Sequence, residues 1–327
     1  RCAGRTTSER RRDPLVPTAV RFADYLTEVL NQPVQVTAQR RVAMGQSRAM
    51  FLLDAVVGGV PQTLVARVEQ SGLLGSDSTL EVPVMQALFR AGYPVAEILA
   101  YEPTGSVVGQ PFFIMAFVEG ASKEDHATLD DYIRLLHQLH QYDPDALGLS
   151  ALPKPPLPKG PALDQVGRWD RTYRSGLVGE PSPLVEEAIA YLRRNAPDSD
   201  RLCIVHADPG PGNYMYVGST ITAVVDWEFT HLGDEYDDWA YLIYMRGRRV
   251  RTPEEWMQRI RDVVGVEIDP ERLRYWRAVK HLMGVSIDQT ATRLYAERVE
   301  VAPNLLAIGT AIHLSALQML YKAVLAG

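Results

Sequence analysis

The sequence predicts a bilobal α+β protein, with a small β-rich N-terminal lobe followed by a larger, mainly helical C-terminal lobe. Before residue 119, short runs of branched and aromatic residues alternate with Gly, Pro and Ser, whereas beyond it apolar residues recur at helical spacing. The chain of 327 residues also exceeds the usual size of one compact domain. We therefore predict lobes at residues 1–118 and 119–327.

The individual elements follow from local patterns. Three runs have the composition of strands: MFLLDAVV, TLVARVE and PFFIMAFV, at 50–57, 63–69 and 111–118. One helix, STLEVPVMQALFRAG at 78–92, is expected to interrupt them, with Gly92 as its stop. In the C-terminal part, TLDDYIRLLHQLHQYDP at 128–144 predicts an amphipathic helix, because five apolar residues fall on one face.

Composition excludes several classes of protein. With 46% hydrophobic residues, 23% charged residues and a net charge of −6, the chain is neither disordered nor suited to coating nucleic acid. No run approaches the roughly 20 apolar residues of a membrane helix, and the opening RCAGRTTSERRRD lacks the apolar core of a signal peptide. The only cysteines are Cys2 and Cys203, which is too few for a disulfide framework. We expect a soluble, cytoplasmic protein without nucleic-acid or membrane partners.

The segment VHADPGPGNYMYVGSTITAVVDWEF, 205–229, concentrates the side chains that suggest chemistry. One apolar run ends at Asp208 and is followed by a Pro-Gly turn and Asn213, and a second run ends at Asp226. If the two runs pair as strands, these three side chains meet at one edge. Carboxylate and amide oxygens suit a hard cation such as Mg²⁺, which also binds phosphates. A carboxylate not used by the metal can accept a proton from a substrate hydroxyl.

The order HAD at 206–208, Asn213 and DWE at 226–228 resembles the aminoglycoside phosphotransferase and choline kinase family, which is related to the protein kinases. The resemblance implies a protein-kinase-like fold and Mg-dependent transfer of the γ-phosphoryl group of ATP or GTP to a small-molecule hydroxyl acceptor. It implies these roles: Asp208 as catalytic base, Asn213 and Asp226 as Mg²⁺ ligands, and His206 as a brace for the loop.

The resemblance also assigns nucleotide-binding residues in the N-terminal part. Gly45, Gln46 and Ser47 lie where the family has a phosphate-covering loop, and Glu81 matches the acidic partner of the phosphate-binding cation. The hinge strand would supply Met115, Ala116, Phe117 and Val118, with backbone groups of 116–118 bound to the purine and apolar walls from Met115 and Phe117.

Two positions depart from the family pattern. Arg67 stands where the family has a strand lysine, so the positive charge is kept on a bulkier, forked group. Ala207 stands where the family more often has glycine, which is tolerated if the backbone angles there are ordinary.

The acceptor and the activity leave alternatives open. Acidic residues in GDEYDD, 233–238, lie near the predicted site, but MRGRRVR, 245–251, follows with four arginines. If those arginines reach the site, the acceptor is anionic; the sequence favours the alternative of a solvated helix end. Two other activities remain: a catalytically silent nucleotide-binding regulatory protein, suggested by Arg67, and a metal-dependent phosphohydrolase. The phosphohydrolase would use His206, Asp208, Asp226 and His231.

Overall fold

The computed structural model describes residues 19–42, 48–69, 78–122, 128–298 and 303–324. Its helices are α1 Ala19–Leu30, α2 Ser78–Arg90, α3 Leu129–Gln141, α4 Gly160–Ser175, α5 Pro183–Arg194, α6 Tyr236–Tyr241, α7 Pro253–Val264, α8 Pro270–Ala296, α9 Pro303–Ala307 and α10 His313–Val324. Its strands are β1 Val34–Val42, β2 Arg48–Val57, β3 Val60–Glu69, β4 Ile98–Glu102, β5 Phe112–Ala116, β6 Cys203–Val205, β7 Tyr214–Val217, β8 Thr220–Val224 and β9 His231–Gly233.

The first five strands form one sheet in the order β1-β2-β3-β5-β4, with β1 to β3 antiparallel. Helix α1 packs on this sheet: the Phe22 ring lies 5.2 Å from that of Phe112 and 6.5 Å from that of Phe51. Helix α1 corrects the prediction of a single helix before residue 119. The sequence pattern that indicates α1 is the spacing of Phe22 and Leu26, four residues apart. Both side chains are fully buried in the structure.

Contacts between Cα atoms divide the chain into two compact units. One contains Arg1–Gln70 and Leu99–Met115, and the other contains Ser71–Ile98 and Ala116–Gly327. Both units are discontinuous in sequence, whereas the lobes predicted at 1–118 and 119–327 were drawn as continuous segments. Helix α2 belongs to the larger unit. That unit is mainly helical, and the α+β class predicted from the sequence is confirmed by the five-stranded sheet and the helical remainder.

The larger unit is organised around α8, a helix of 27 residues. Helices α4, α6 and α10 pack along it. Buried residues occur on all sides of α8, as expected for a helix enclosed by others. Helix α3 instead buries a single face, which is the face predicted from its spacing: Leu129, Tyr132, Ile133, Leu136 and Leu139. Among the described residues, no helix is both long enough and apolar enough to cross a membrane.

Two short antiparallel pairs carry the segment singled out in the sequence. Strand β6 pairs with β9, and β7 pairs with β8. The expectation that the apolar runs ending at Asp208 and Asp226 pair with each other is therefore wrong. Each run finds its partner elsewhere: β8 forms a hairpin with the strand just before it, and β6 takes the later strand β9. Hydrogen bonds from His206 and Val225 nevertheless bring the ends of the two apolar runs together.

Candidate active site

The loop after β6 is anchored by the buried carboxylate of Asp238. The backbone N–H groups of His206 and Ala207 donate to its two oxygens at 2.9 and 2.7 Å, and Nε2 of His140 lies 2.9 Å from Oδ2. Burial by itself would raise the pKa of Asp238, but the hydrogen bond from His140 and the nearby imidazoles outweigh it, so the pKa is lowered. An ionised carboxylate at the first turn of α6 thus fixes the start of the loop.

Ala207 occupies a strained position in this loop. Its φ is +70°, in the left-handed region that favours glycine, and its side chain is buried. Tolerance of alanine was predicted only for ordinary backbone angles, and this condition is not met. The hydrogen bond from the N–H of Ala207 to Asp238 holds the backbone in this conformation. Glycine suits the position because it adopts a positive φ without strain.

His206 ties the loop to the end of β8. Its Nδ1 accepts from the N–H of Asp208 at 3.2 Å, and its Nε2 lies 2.9 Å from the carbonyl oxygen of Val225. This pattern requires a proton on Nε2 and a lone pair on Nδ1. The imidazole is fully buried, 4.6 Å from the ring of Trp227. His206 therefore has the geometry of a brace between Asp208 and the chain leading to Asp226.

Asn213 contacts both parts of the site. Its Nδ2 donates to the backbone oxygen and to Oδ2 of Asp208, each at 2.8 Å. The N–H of Val225 donates to the carbonyl oxygen of Asn213 at 2.9 Å, which places the next residue, Asp226, beside the loop. Because the amide nitrogen of Asn213 is engaged with Asp208, its amide oxygen is the atom suited to a cation. The three predicted oxygen-bearing residues thus lie in one neighbourhood.

The glycine-rich turn of the loop is held from α3. The N–H of Gly210 donates to the hydroxyl of Tyr132 at 2.9 Å, and the Tyr132 ring stacks on Tyr214 with centroids 4.5 Å apart. Burial raises the pKa of Tyr132 well above its usual value, so the hydroxyl stays neutral. The turn is thereby fixed by a packed aromatic pair.

Arg246, which was not among the predicted site residues, binds Asp208 directly. Its Nε lies 2.9 Å from Oδ1 and its Nη2 lies 2.6 Å from Oδ2, a bidentate ion pair. Burial opposes the charge, but the hydrogen bonds to Asp208 raise the pKa of Arg246. Interpreting 245–251 as a solvated helix end is wrong for this residue and fits the exposed Arg248 and Arg249. Four arginines in seven positions were the available signal.

Two of the predicted nucleotide-binding residues have well-defined surroundings. Arg67 is buried in β3, with its guanidinium 5.8 Å from the centroid of the Phe113 ring. Glu81 is fully buried in the first turn of α2. Their partnership stays a prediction. Gly45, Gln46 and Ser47 lie outside the described residues.

The predicted hinge begins at the end of β5. Met115, Ala116 and Val118 are half-buried, and Phe117 is exposed. The N–H of Ala116 donates to the carbonyl oxygen of Glu97 at 2.9 Å. This bond uses the N–H of Ala116 but does not involve its carbonyl oxygen. Purine binding by backbone groups of 116–118 stays a prediction.

Comparison with known proteins identifies the family. Residues 38–280 match the phosphotransferase enzyme family, APH. The chain belongs to this family. The recognition of an aminoglycoside phosphotransferase pattern in the sequence is therefore confirmed, and so is the protein-kinase-like fold.

Solved structures share the fold of this APH-family chain. A Ralstonia eutropha JMP134 protein assigned to the aminoglycoside phosphotransferases has a TM-score of 0.71 and 22% identity, covering 94% of this chain and 98% of its own. A thermostable mutant of aminoglycoside phosphotransferase APH(4)-Ia, in a ternary complex with AMP-PNP and hygromycin B, has a TM-score of 0.62 and 17% identity, covering 94% and 99%. At these identities the likeness shows the fold alone.

Curated relatives carry different names. Acyl-CoA dehydrogenase family member 11 of Gallus gallus is 32% identical over 227 residues, which are 64% of this chain and 28% of that protein. Homoserine kinase of Methylocella silvestris is 28% identical over 215 residues, 62% of this chain and 63% of that protein. The APH-family chain thus spans about a quarter of the first relative's length and less than two thirds of the second's.

The phosphohydrolase alternative required His231 beside the acids of the APH-family site. His231 is buried, with Nδ1 3.1 Å from the carbonyl oxygen of Phe229, and burial lowers its pKa. Nε2 of His206 lies 2.9 Å from the carbonyl oxygen of Val225, so this nitrogen is engaged with the backbone. Within the described ranges, no group of three or more His, Cys, Asp or Glu side chains is arranged to hold a metal ion. The two imidazoles are instead placed as structural residues.

Proposed function

We propose that this member of the phosphotransferase family transfers the γ-phosphoryl group of ATP to a hydroxyl of a small-molecule acceptor, in a Mg²⁺-dependent reaction. One observation carries the proposal: the Asp208–Asn213 pair and the residue before Asp226 are joined by direct hydrogen bonds within the family's fold. The AMP-PNP and hygromycin B bound to a structural neighbour support a nucleotide donor and a small acceptor.

Asp208 is the proposed base. The acceptor oxygen forms a bond to the γ-phosphorus, the bond from that phosphorus to the β–γ bridging oxygen breaks, and ADP leaves. The hydroxyl proton passes to the Asp208 carboxylate, so that a phosphate monoester and ADP are the products. Such proton transfer contributes roughly 10²- to 10⁴-fold to rate.

Asn213 and Asp226 would hold the Mg²⁺ ion. The amide oxygen of Asn213 and the carboxylate of Asp226 are hard donors, and a magnesium site with few protein ligands leaves positions for phosphate oxygens. When bound, the ion neutralises charge on the nucleotide phosphates. The chain itself holds the two ligands together through the bond between the Val225 N–H and the Asn213 carbonyl oxygen.

The remaining nucleotide contacts are assigned by family resemblance. Arg67, positioned by Glu81, and the segment Gly45 to Ser47 are proposed to bind the phosphates. The backbone after β5 and the exposed Phe117 ring would contact the purine. The forked guanidinium of Arg67 can bind phosphate through two parallel hydrogen bonds, which a lysine cannot do.

The test is a screen of ATP consumption against alcohols, sugars, amino alcohols, hydroxy acids and antibiotics, with Asp208→Asn as the blank. We expect at least one acceptor to be phosphorylated by the native chain, and at least a hundredfold lower turnover in the variant. Nucleotide affinity should change little in Asp208→Asn, whereas Asp226→Ala should lose the Mg²⁺-dependent part of binding. Nucleotide binding without turnover on any acceptor would favour the silent regulatory protein, and phosphate release from simple monoesters would favour the phosphohydrolase.

A further inference from the structure

The loop that carries Asp208, Gly210 and Gly212 packs closely against Arg246. A Cβ on Gly210, whose φ is +134°, would lie 2.6 Å from the Cβ of Arg246. A Cβ on Gly212, whose φ is +98°, would lie 3.3 Å from its Nη1. Arg246 ends a π-helical turn, Leu242–Arg246, that follows α6. The loop that carries Asp208 therefore packs closely against Arg246, whose side chain remains 33% exposed.

The ion pair leaves Asp208 poorly placed to act as a base. Its two carboxylate oxygens already accept from Nε and Nη2 of Arg246 and from Nδ2 of Asn213, and the carboxyl side chain is 9% exposed. A base must come within about 2.6–3.2 Å of the hydroxyl that it deprotonates. An acceptor hydroxyl can approach so closely only if the guanidinium withdraws from at least one oxygen.

A guanidinium that leaves this carboxylate needs another anion, because an unpaired charge in a partly buried site is costly. The carboxylate of Asp226 also acts on Arg246 but is the proposed Mg²⁺ ligand, and the two side chains described next are cations. Arg277 lies over the Tyr244 ring at 4.8 Å, and Arg248 follows Arg246 by two positions. In the part of the chain that the structure describes, neither Arg248 nor Arg277 forms an ion pair, and the Nε of Arg277 is buried without a hydrogen bond.

A buried histidine lies near Arg277 and Arg248. His281 of α8 is 3% exposed. Burial, together with the guanidinium groups of Arg277 and Arg248, lowers its pKa to about 4. Both arginines therefore lie close to an uncharged imidazole. Arg277, which packs on Tyr244, and the exposed Arg248 thus lack carboxylate partners among the described residues.

We infer that Arg246 is a latch that covers Asp208 in the resting molecule and exchanges that carboxylate for an anionic group, a carboxylate or a phosphate, on the hydroxyl-bearing acceptor. This rests on the proposed function and adds the acceptor's class. Arg246 acts as a specificity-determining residue: an anionic acceptor releases the base, and a neutral alcohol leaves the base covered. Transfer to water is suppressed for the same reason.

The test measures competition for Arg246 by calorimetric titration with inorganic phosphate. Asp208→Asn keeps the shape of the side chain but removes the charge that competes with phosphate. We expect phosphate to bind Asp208→Asn at least tenfold more tightly than the native chain. Adding Arg246→Gln to that variant should remove the gain, and Arg246→Lys should keep part of it. Arg249→Gln, at an exposed position, is the control and should leave the gain intact.

Three results would overturn the latch: equal phosphate affinity in the native chain and Asp208→Asn, a gain that survives Arg246→Gln, or a gain that Arg249→Gln also removes. An exchange of Arg246 onto Asp226, whose charge also acts on it, would give the first result. The titration is repeated with saturating AMP-PNP and Mg²⁺, where we expect the gain to persist. Its loss there would assign the anion to the γ-phosphate and overturn the acceptor's class.

Failure of the latch can be distinguished from failure of the proposed function, because the titration involves no turnover. Unfolding midpoints of all variants identify any that fail to fold, and the lysine variant then replaces the glutamine variant. In the activity screen, hydroxy acids are compared with their methyl esters. Arg246→Lys should lower kcat/KM at least tenfold for the acids and little for the esters. Equal losses for both would contradict the latch while leaving phosphoryl transfer established.

Discussion

Nε2 of His206 lies 2.9 Å from the carbonyl oxygen of Val225, and this contact joins the ends of two strands that do not pair with each other. The proposed base follows His206 by two residues, and the proposed metal ligand Asp226 follows Val225 directly. One buried imidazole therefore sets the spacing between the two carboxylates.

Replacing His206 with leucine should loosen that spacing. The substitution leaves the Val225 carbonyl oxygen and the Asp208 N–H without their partner, which we expect to cost about 1–3 kcal/mol of unfolding free energy. Turnover should fall at least tenfold, because the base and the metal ligand are no longer held together. Urea unfolding and steady-state kinetics provide the measurements. His137→Leu on α3 is the matched control and should stay within about 0.5 kcal/mol; similar losses in both would contradict the bracing role.

Ala207→Gly should stabilise the protein. The left-handed conformation at φ +70° costs an L-residue with a Cβ about 1–2 kcal/mol, and glycine adopts it freely. Part of this gain is offset by the greater freedom of glycine in the unfolded chain. We expect a net increase of roughly 0.5–1 kcal/mol in the unfolding free energy from denaturant titration. A decrease in stability would show that the strain at this position is not relieved by removing the methyl group.

Alanine at Gly210 should be far more harmful than alanine at Gly218. Gly218 has φ +61° and no atom within 4 Å of an added Cβ, so its substitution measures the backbone cost alone, about 1 kcal/mol. At Gly210 the φ of +134° is less accessible to alanine than that of Gly218, and the new Cβ would collide with Arg246, so together they add about 1–3 kcal/mol. Parallel denaturant titrations give both values. Equal losses in the two variants would mean that the loop is not shaped around the arginine.

Asp288 should make the protein less stable as pH rises. Burial raises the pKa of this α8 carboxyl from 3.8 to about 7, so between these values the folded chain holds a proton that the unfolded chain has released. Its stabilising contribution is complete below about pH 4 and is lost as pH rises through 7, by up to about 4 kcal/mol. Asp288→Asn should remove this loss, which unfolding experiments from pH 5 to 8 would detect. An unchanged pH dependence would contradict the raised pKa.

Local patterns predicted several elements correctly. Helices α2 and α3 were predicted, because their apolar spacing and flanking residues are encoded within one short segment. The order His206, Asp208, Asn213 and Asp226 also suggested the family, because a loop motif keeps its spacing whatever its surroundings. Helix α1 was missed, although the four-residue spacing of Phe22 and Leu26 is itself a helical pattern.

Contacts between distant segments were predicted less well. The pairing of β6 with β9 depends on which strands meet in the folded chain, and the composition of an apolar run does not specify its neighbour. Arg246 is 38 residues from Asp208, so its local sequence looked like a solvated arginine cluster. Nothing in that sequence distinguishes the arginine that turns inward from Arg248 and Arg249, which stay exposed.

The sequence by itself determined the family, the α+β class and the three oxygen-bearing residues of the proposed site, because these depend on residue type and on spacing along the chain. Only the tertiary structure decided that His206 joins two unpaired strands, that Ala207 is strained and that Arg246 covers Asp208. The physical reason is that hydrogen bonds, ion pairs and backbone strain depend on distances in space, which folding sets between residues far apart in the sequence.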